Sequence, residues 1–373
     1  MQQENPIKAF GRHETIETIS IPTLASQYGL TSNGGKLPND RYMHGVFLEA
    51  SFRVTTPAAN GPTVVNADAP YSFISEVVIE GKHKLRRAQE TIVRMRGGAI
   101  AEYQRLYTMV APVSSGTLGT TANTAYDISF VLYIPFTVIG SRPQDAVNYL
   151  LDCPNYENLT LTLRIGDEKN LYTVGSSAST FAGFGGTGNP TVRVSGLFAM
   201  ESKSKFGGFV PGFLSRYYVD AISGAVATTA NQVRLVNVPR GGRIRAILAR
   251  TGTPAAVNSG NFAYLSFSDS ILANLRLNLG LNRPIWDFGN MRTLRQHGIL
   301  SRGIAPATGY GLMEFTQLGN VAESLDLQGA IAGSTGDIDT YLSADVTGSA
   351  SYGAEFTFEE LVVYPGVIRR AGR

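Results

Sequence analysis

The residues that could do chemistry are few and scattered. The 373-residue chain has four histidines: His13, His44, His83 and His297. No two stand at an i, i+2 or i, i+4 spacing that would supply metal ligands from one strand or helix. Asp337 and Asp339 lie two apart in a Gly/Ser/Thr-rich stretch, and Asp167-Glu168 follow an apolar alternating run. Paired loop carboxylates can bind calcium, but no EF-hand pattern frames them and solvated turn residues are the reading favoured here. Gly183 to Gly188 (Gly-Phe-Gly-Gly-Thr-Gly) lacks the Lys-Ser/Thr of a phosphate-cradling loop, and Gly34-Gly35-Lys36 is followed by Leu37. Both read as turns. Asn158-Leu159-Thr160 has the form of a glycosylation acceptor but opens an apolar strand pattern. No nucleophile-elbow signature frames any serine. Catalytic, cofactor-binding and metal-ligating residues are therefore all expected to be absent.

What remains is charge. Lys82, Lys84, Arg86 and Arg87, with Arg94 and Arg96 beyond them, form the densest basic run, interrupted by Glu80 and Glu90. It reads as a solvated basic face or one for ion pairs between subunits, ahead of contact with acidic neighbours, nucleic acid or lipid headgroups. The chain closes on Arg369, Arg370 and Arg373, and Lys8 and Arg12 lie near its start. The net charge is only +3, small for a dedicated nucleic-acid binder. A single cysteine, Cys153, excludes an intrachain disulfide. The first residues show no basic region followed by an apolar run, and the longest apolar run, 128–139, contains Pro135 and is too short to span a bilayer. Synthesis and folding in a reducing cytoplasm are expected.

These residues need elements to carry them, and the pattern is mostly period two, which marks strands with one buried face. The chain is organised around 233–250, a strand, a Pro-Arg-Gly-Gly turn and a second strand. There Ile244, Ala246 and Leu248 are expected on one face, with Arg243, Arg245 and Ile247 on the other. Val46, Leu48, Ala50, Phe52 and Val54 alternate with Glu49, Ser51 and Arg53, and Leu159, Leu161, Leu163 and Ile165 with Thr160, Thr162 and Arg164. Helical spacing is read in 88–110 and again in 286–300. The 41 glycines and frequent turn residues suit many short strands.

The pattern occurs twice. Ile19-Ser20-Ile21-Pro22 before 46–52 is answered by the Val-Pro-Arg-Gly-Gly-Arg-Ile opening at 238–244. The series 128–136, Leu150-Leu151-Asp152, 159–165 and 192–200 is answered by 312–315, Leu325-Asp326-Leu327, 342–346 and 356–363. The expected fold class is all-β: two tandem eight-stranded jelly rolls, with short helices in the long excursions between strands. The expected boundaries are an arm at 1–18, a first roll at 19–202, a linker at 203–216, a second roll at 217–365 and a basic tail at 366–373.

On the duplication, the 238–244 opening, the Phe-Val-Leu-Tyr-Ile-Pro-Phe run at 130–136 leading to Leu150-Leu151-Asp152, and the Leu325-Asp326-Leu327 echo, the sequence resembles the double jelly-roll major capsid proteins of the tectivirus, corticovirus and adenovirus lineage. The resemblance spans about 19–365. It implies a capsid protein of a tailless icosahedral, phage-like virus, found in the virion. It also implies a homotrimer forming a pseudo-hexagonal capsomer beside neighbouring capsomers and minor or vertex proteins, in many members over an internal membrane. Both chain ends would then face inward, with Arg369, Arg370, Arg373, Lys8 and Arg12 toward membrane or genome. No cofactor and no small-molecule substrate are implied. The loops at 57–70, 176–190 and 329–340 become candidates for the outer face or capsomer contacts. The alternatives are a spike or carbohydrate-binding jelly roll, disfavoured by a single tryptophan (Trp286) and dispersed aromatics, and a cupin-type enzyme, disfavoured by the histidine spacing.

Overall fold

The computed structural model describes residues 12–21, 31–84, 87–136, 150–199, 213–226, 230–239, 242–257, 262–280, 283–315, 325–326, 340–347 and 349–363. The first half contains β1 (Arg12–Ser20), β2 (Thr31–Lys36), β3 (Tyr42–Thr55), β4 (Ile74–His83), β5 (Gln89–Met95), α1 (Gly97–Thr108), β6 (Ala125–Pro135), β7 (Leu151–Asp152), β8 (Tyr156–Ile165) and β9 (Thr191–Phe198). The second contains β10 (Phe213–Val226), β11 (Ala230–Asn237), β12 (Arg243–Pro254), β13 (Leu272–Leu279), β14 (Arg283–Gly289), α2 (Met291–Arg302), β15 (Tyr310–Glu314), β16 (Leu325–Asp326), β17 (Thr340–Val346) and β18 (Ser349–Val363).

The halves repeat one topology. In the first, β1-β9-β3-β6 form one sheet and β2-β8-β4-β5 the other. In the second, β10-β18-β12-β15 and β11-β17-β13-β14 take the same places. α1 and α2 each follow the last strand of the second-named sheet. The Leu-Asp echo is positional: β7 pairs with the start of β3 (Met43↔Leu151) and β16 with the start of β12 (Ile244↔Leu325). Even an irregularity recurs. Pairing with β9 skips His44 between Met43 and Gly45, and pairing with β18 skips Arg245 between Ile244 and Ala246. Each is a bulge, one extra residue opposite the partner strand.

Alternation builds the first core. Val46, Leu48, Ala50, Phe52 and Val54 of β3 are fully buried and face Leu159, Leu161 and Leu163 of β8 and Val77 and Ile79 of β4. Phe52 stacks on Phe73 with ring centroids 4.1 Å apart. The second core gathers Ile247, Ala249, Leu275, Leu277, Leu342, Phe356 and Phe358.

Several expectations need correction. Residues 12–18 are not an arm: β1 begins at Arg12 and pairs with β9. It is an edge strand whose exposed His13, Thr15 and Thr18 mask its alternation. The stretch 88–110 is not helical throughout, because Gln89–Met95 is β5 and the helix starts at Gly97. Likewise Trp286 belongs to β14, and α2 starts at Met291 behind the Asn290 cap. β10 begins at Phe213, inside the span assigned to a linker; 203–212 lie outside the described residues. Ile19-Ser20 ends β1, whereas Val236-Asn237 ends β11, the counterpart of β2. That echo therefore joined strands that are not equivalent.

Candidate functional site: the seam between the two rolls

Among the described residues the largest collection of buried charge lies where the two rolls meet. β10 pairs antiparallel with β18 and in parallel with β5, Tyr217↔Val93 and Tyr218↔Arg94, so one sheet runs from the first roll into the second. β12 is consequently covered on both sides. Ile244, Ile247 and Ala249 enter the second core, while Ala246 and Leu248 join the first. The expectation of one buried and one open face fails here, and Arg245 and Arg250 are 0 % and 1 % exposed.

Arg250 is held from both rolls. Its Nη1 donates to Asp68 Oδ1 at 2.8 Å and its Nη2 to Glu355 Oε2 at 3.1 Å. Arg96 Nε lies 2.7 Å from Glu355 Oε2, and the backbone N–H of Tyr264 donates to Asp68 Oδ2 at 3.0 Å. Two guanidinium groups thus face two carboxylates. Burial pushes the Asp68 carboxyl up, against the pull of Arg250. Burial opposes the Arg250 charge too, but Asp68 and Glu355 hold its pKa well above the ordinary value.

The second group surrounds the bulge. Arg245 Nη2 lies 2.9 Å from Glu359 Oε2. Tyr103 donates to the same carboxylate, as does Tyr107 at 3.3 Å. The two tyrosine rings stack at 4.1 Å, and Arg302, paired with Glu314, sits over Tyr107. Burial, reinforced by Glu359, drives Tyr103 and Tyr217 well up; Tyr107 is pushed up to about 12, chiefly by burial.

The glycine pair opening α1 permits this close approach. A Cβ on Gly97 would stand 2.1 Å from the Tyr71 carbonyl oxygen, and one on Gly98 2.3 Å from Asp68 Oδ1 and 2.5 Å from Arg250 Nη1. Gly97→Ala is expected to destabilise the chain by about 1–3 kcal/mol, since backbone must move to relieve the contact. Urea denaturation measures this; an unchanged midpoint would show that α1 can shift freely.

Chemically the seam is inert. Each carboxylate is engaged by arginine or tyrosine, and the tyrosines are held in their neutral form. A cavity of about 200 Å³ beside it is lined by Asp68, Glu102, Arg105, Phe267 and Tyr310, but Glu102 is tied bidentately to Arg105 at 2.6 and 2.8 Å. Among the described residues no three His, Cys, Asp or Glu stand together as a metal site, and no helix is long and apolar enough to cross a membrane. Asp167 caps a short helix by accepting from Asn170 N–H, and Glu168 accepts from Ser179 N–H; Asp337 and Asp339 lie outside the described residues.

The basic residues read from the sequence do not meet at one place. Exposed Lys82 pairs with Glu157 at 3.1 Å, and Lys84 donates to the Pro154 carbonyl at 2.7 Å. Arg87 is exposed with a φ of 55°. Arg96, counted in the same run, belongs to the seam. Arg12 opens β1; Arg86, Lys8, Arg369, Arg370 and Arg373 lie outside the described residues, as does 329–339. Arg250 was missed altogether. The signal for it was present: Ile244 to Ala249 is apolar on both alternating faces apart from Arg245, the mark of a strand buried on two sides.

The loop at 183–188 has a local anchor. Arg53 grips Asp127 through two hydrogen bonds of 2.8 and 2.5 Å, and the Gly185 N–H donates to Asp127 at 2.8 Å. The Arg53 contact, then the Gly185 N–H, lowers Asp127 to about 2 from 3.8. A depressed acid adds stability above its unfolded pKa and loses it as pH falls through the folded one. Protection of the Gly185 amide, its exchange rate relative to the intrinsic one, is expected to fall between about pH 4 and 2, and Asp127→Asn should abolish that step; NMR exchange rates test it. Both side chains are part-exposed, so the effect is local and screened.

The sequence matches no protein-family model and no curated protein. Solved structures do match, over nearly the whole chain. The major capsid protein of Sulfolobus turreted icosahedral virus aligns at 12 % identity with a TM-score of 0.61, covering 97 % of this chain and 100 % of its own. VP54 of PBCV-1 aligns at 11 % and 0.57, covering 94 % and 93 %. The major capsid protein P2 of bacteriophage PM2 aligns at 12 % and 0.53, covering 95 % and 99 %. The fold of this chain is the double jelly roll of these viral proteins.

Proposed function

We propose that this chain is the major capsid protein of an icosahedral virus and works by self-assembly. The observation that carries the reading is coverage: the major capsid proteins it resembles span both rolls, the helices and the seam. An inert, charge-locked seam suits a part whose task is to hold two rolls at a set angle. Three copies form a pseudo-hexagonal capsomer, which meets neighbouring capsomers and minor or vertex proteins in the virion, after synthesis in the host cytoplasm. The role is structural rather than enzymatic. The division that fits these strands is a first roll from 12 to about 202 and a second from 213 to about 365, joined by the seam and the intervening segment.

Lys8, Arg12, Arg369, Arg370 and Arg373 face inward and contact an internal membrane or the genome. Lys82, Lys84, Arg86 and Arg87 meet acidic groups of a neighbouring subunit. Arginines near an anionic surface contribute about 1 kcal/mol each. Removal of 366–373 is therefore expected to leave the oligomer intact but to cut co-sedimentation with phosphatidylserine vesicles several-fold at low salt. Equal binding by both forms would remove the tail from this role. Light scattering on the purified chain, with negative-stain imaging of native particles, tests the main reading. A monomer at high concentration, or particles lacking the chain, would overturn it.

A further inference from the structure

The cavity beside the seam is walled by both rolls, and its size is set by small residues. Ala67 and Ala69 precede β4, Gly98 and Ala101 lie on α1, and Ala307 follows α2. Protein interiors normally close such spaces with larger side chains. Here about 200 Å³ stays open. An apolar cavity of about 150 Å³ already holds benzene, so a molecule of that size fits.

The lining says what kind of molecule. Three aromatic rings face the space: Tyr71 from the first roll, Phe267 and Tyr310 from the second. The rings of Phe267 and Tyr310 lie 4.9 Å apart and tilted by 57°. Two carboxylates complete the wall, Asp68 and Glu102, 4 % and 7 % exposed. Both are engaged, but neither is saturated. Asp68 accepts from Arg250 through one oxygen and from the Tyr264 N–H through the other. Glu102 Oε1 accepts from Arg105 Nη2 and the Ala307 N–H, and Oε2 from Arg105 Nε. A carboxylate has about four acceptor sites, so each keeps capacity for a further donor. Arg105, the cation of this wall, spends Nε and Nη2 on Glu102 and on the Ala305 carbonyl. Arg250 approaches Asp68 but is not part of the lining. The wall thus offers spare acceptors and π faces, and both attract positive charge.

We propose that this cavity binds a small primary ammonium ion with a short apolar body. The ammonium group donates to Glu102, with Asp68 as the second acidic wall, and the body lies among the rings of Tyr71, Phe267 and Tyr310. Half of the site belongs to each roll, so a ligand that binds only the joined rolls stabilises the seam by mass action. The inference concerns the single chain and stands apart from the capsid reading: a chain that fails to assemble could still bind the ion, and an assembling one could fail to.

The test is a ligand-observed NMR titration of the full chain at pH 7 with benzylamine, benzyl alcohol and benzoate. Benzylamine is expected to saturate one site with a Kd on the order of 1 mM, as its small size allows. The neutral alcohol and the anion should bind at least about tenfold more weakly, the scale of one charge-assisted contact. Glu102→Gln keeps an acceptor for the Ala307 N–H while removing the charge, and should raise the benzylamine Kd by about tenfold. Ala101→Leu and Ala307→Leu fill the space from either roll and should abolish binding while leaving the circular dichroism spectrum unchanged. No saturable binding of benzylamine to the wild type, or equal binding of the alcohol, overturns the proposal. So does an unchanged Kd in Glu102→Gln or in a folded cavity-filled variant.

Discussion

Arg250→Met is expected to destabilise the chain by about 3–5 kcal/mol, because it strands the buried Asp68 carboxylate and leaves the buried Glu355 to Arg96 alone. Asp68 comes from the loop before β4 and Glu355 from β18, so the side chain ties one roll to the other. The loss should fall on the seam rather than on either core. Chemical denaturation followed by tryptophan fluorescence at Trp286, in the second roll, and by a reporter placed in the first should show two transitions drawing apart. The quadruple variant Arg250→Met/Arg96→Met/Asp68→Asn/Glu355→Gln removes all four charges and should recover much of the loss, since a buried ionic group replaced as a whole is often near neutral in stability. A single-variant loss below about 1 kcal/mol, the scale of a surface pair, would mean that the seam admits water and that the network does not set the angle between rolls.

Phe52→Ala is expected to cost about 3–5 kcal/mol as well, by a different route. Phe52 is fully buried, stacked on Phe73 and edge-on to Phe130, so truncation leaves a cavity that strands on both sheets would have to move to fill. This change should lower the first-roll transition and leave the Trp286 signal nearly in place. If both signals shift together, the seam couples the rolls into one cooperative unit. Measured side by side, the two variants separate what holds a roll together from what holds the pair.

Much of the architecture was legible because a strand with one wet face writes its geometry into every second residue. The inward set of β3, the cleaner set of β8 and the paired Leu-Asp strands at 151–152 and 325–326 could all be read, and with them the duplication. Errors fell where that code is diluted. β1 is an edge strand with exposed polar residues, and β5 and β14 run directly into helices, so their short alternation merges with helical spacing. The basic run at 82–96 read as one surface, yet its last member, Arg96, turns inward to Glu355. Charge in a sequence carries no sign of which neighbour will cover it.

Alternation and repeat, both local properties, were enough to determine that this protein is two copies of one β sandwich. They could not determine that the second copy turns its charged strand toward the first. That was decided by contacts between Asp68, Arg96, Arg250 and Glu355, residues up to 287 positions apart, whose pairing becomes favourable only once both sheets have already excluded water around them.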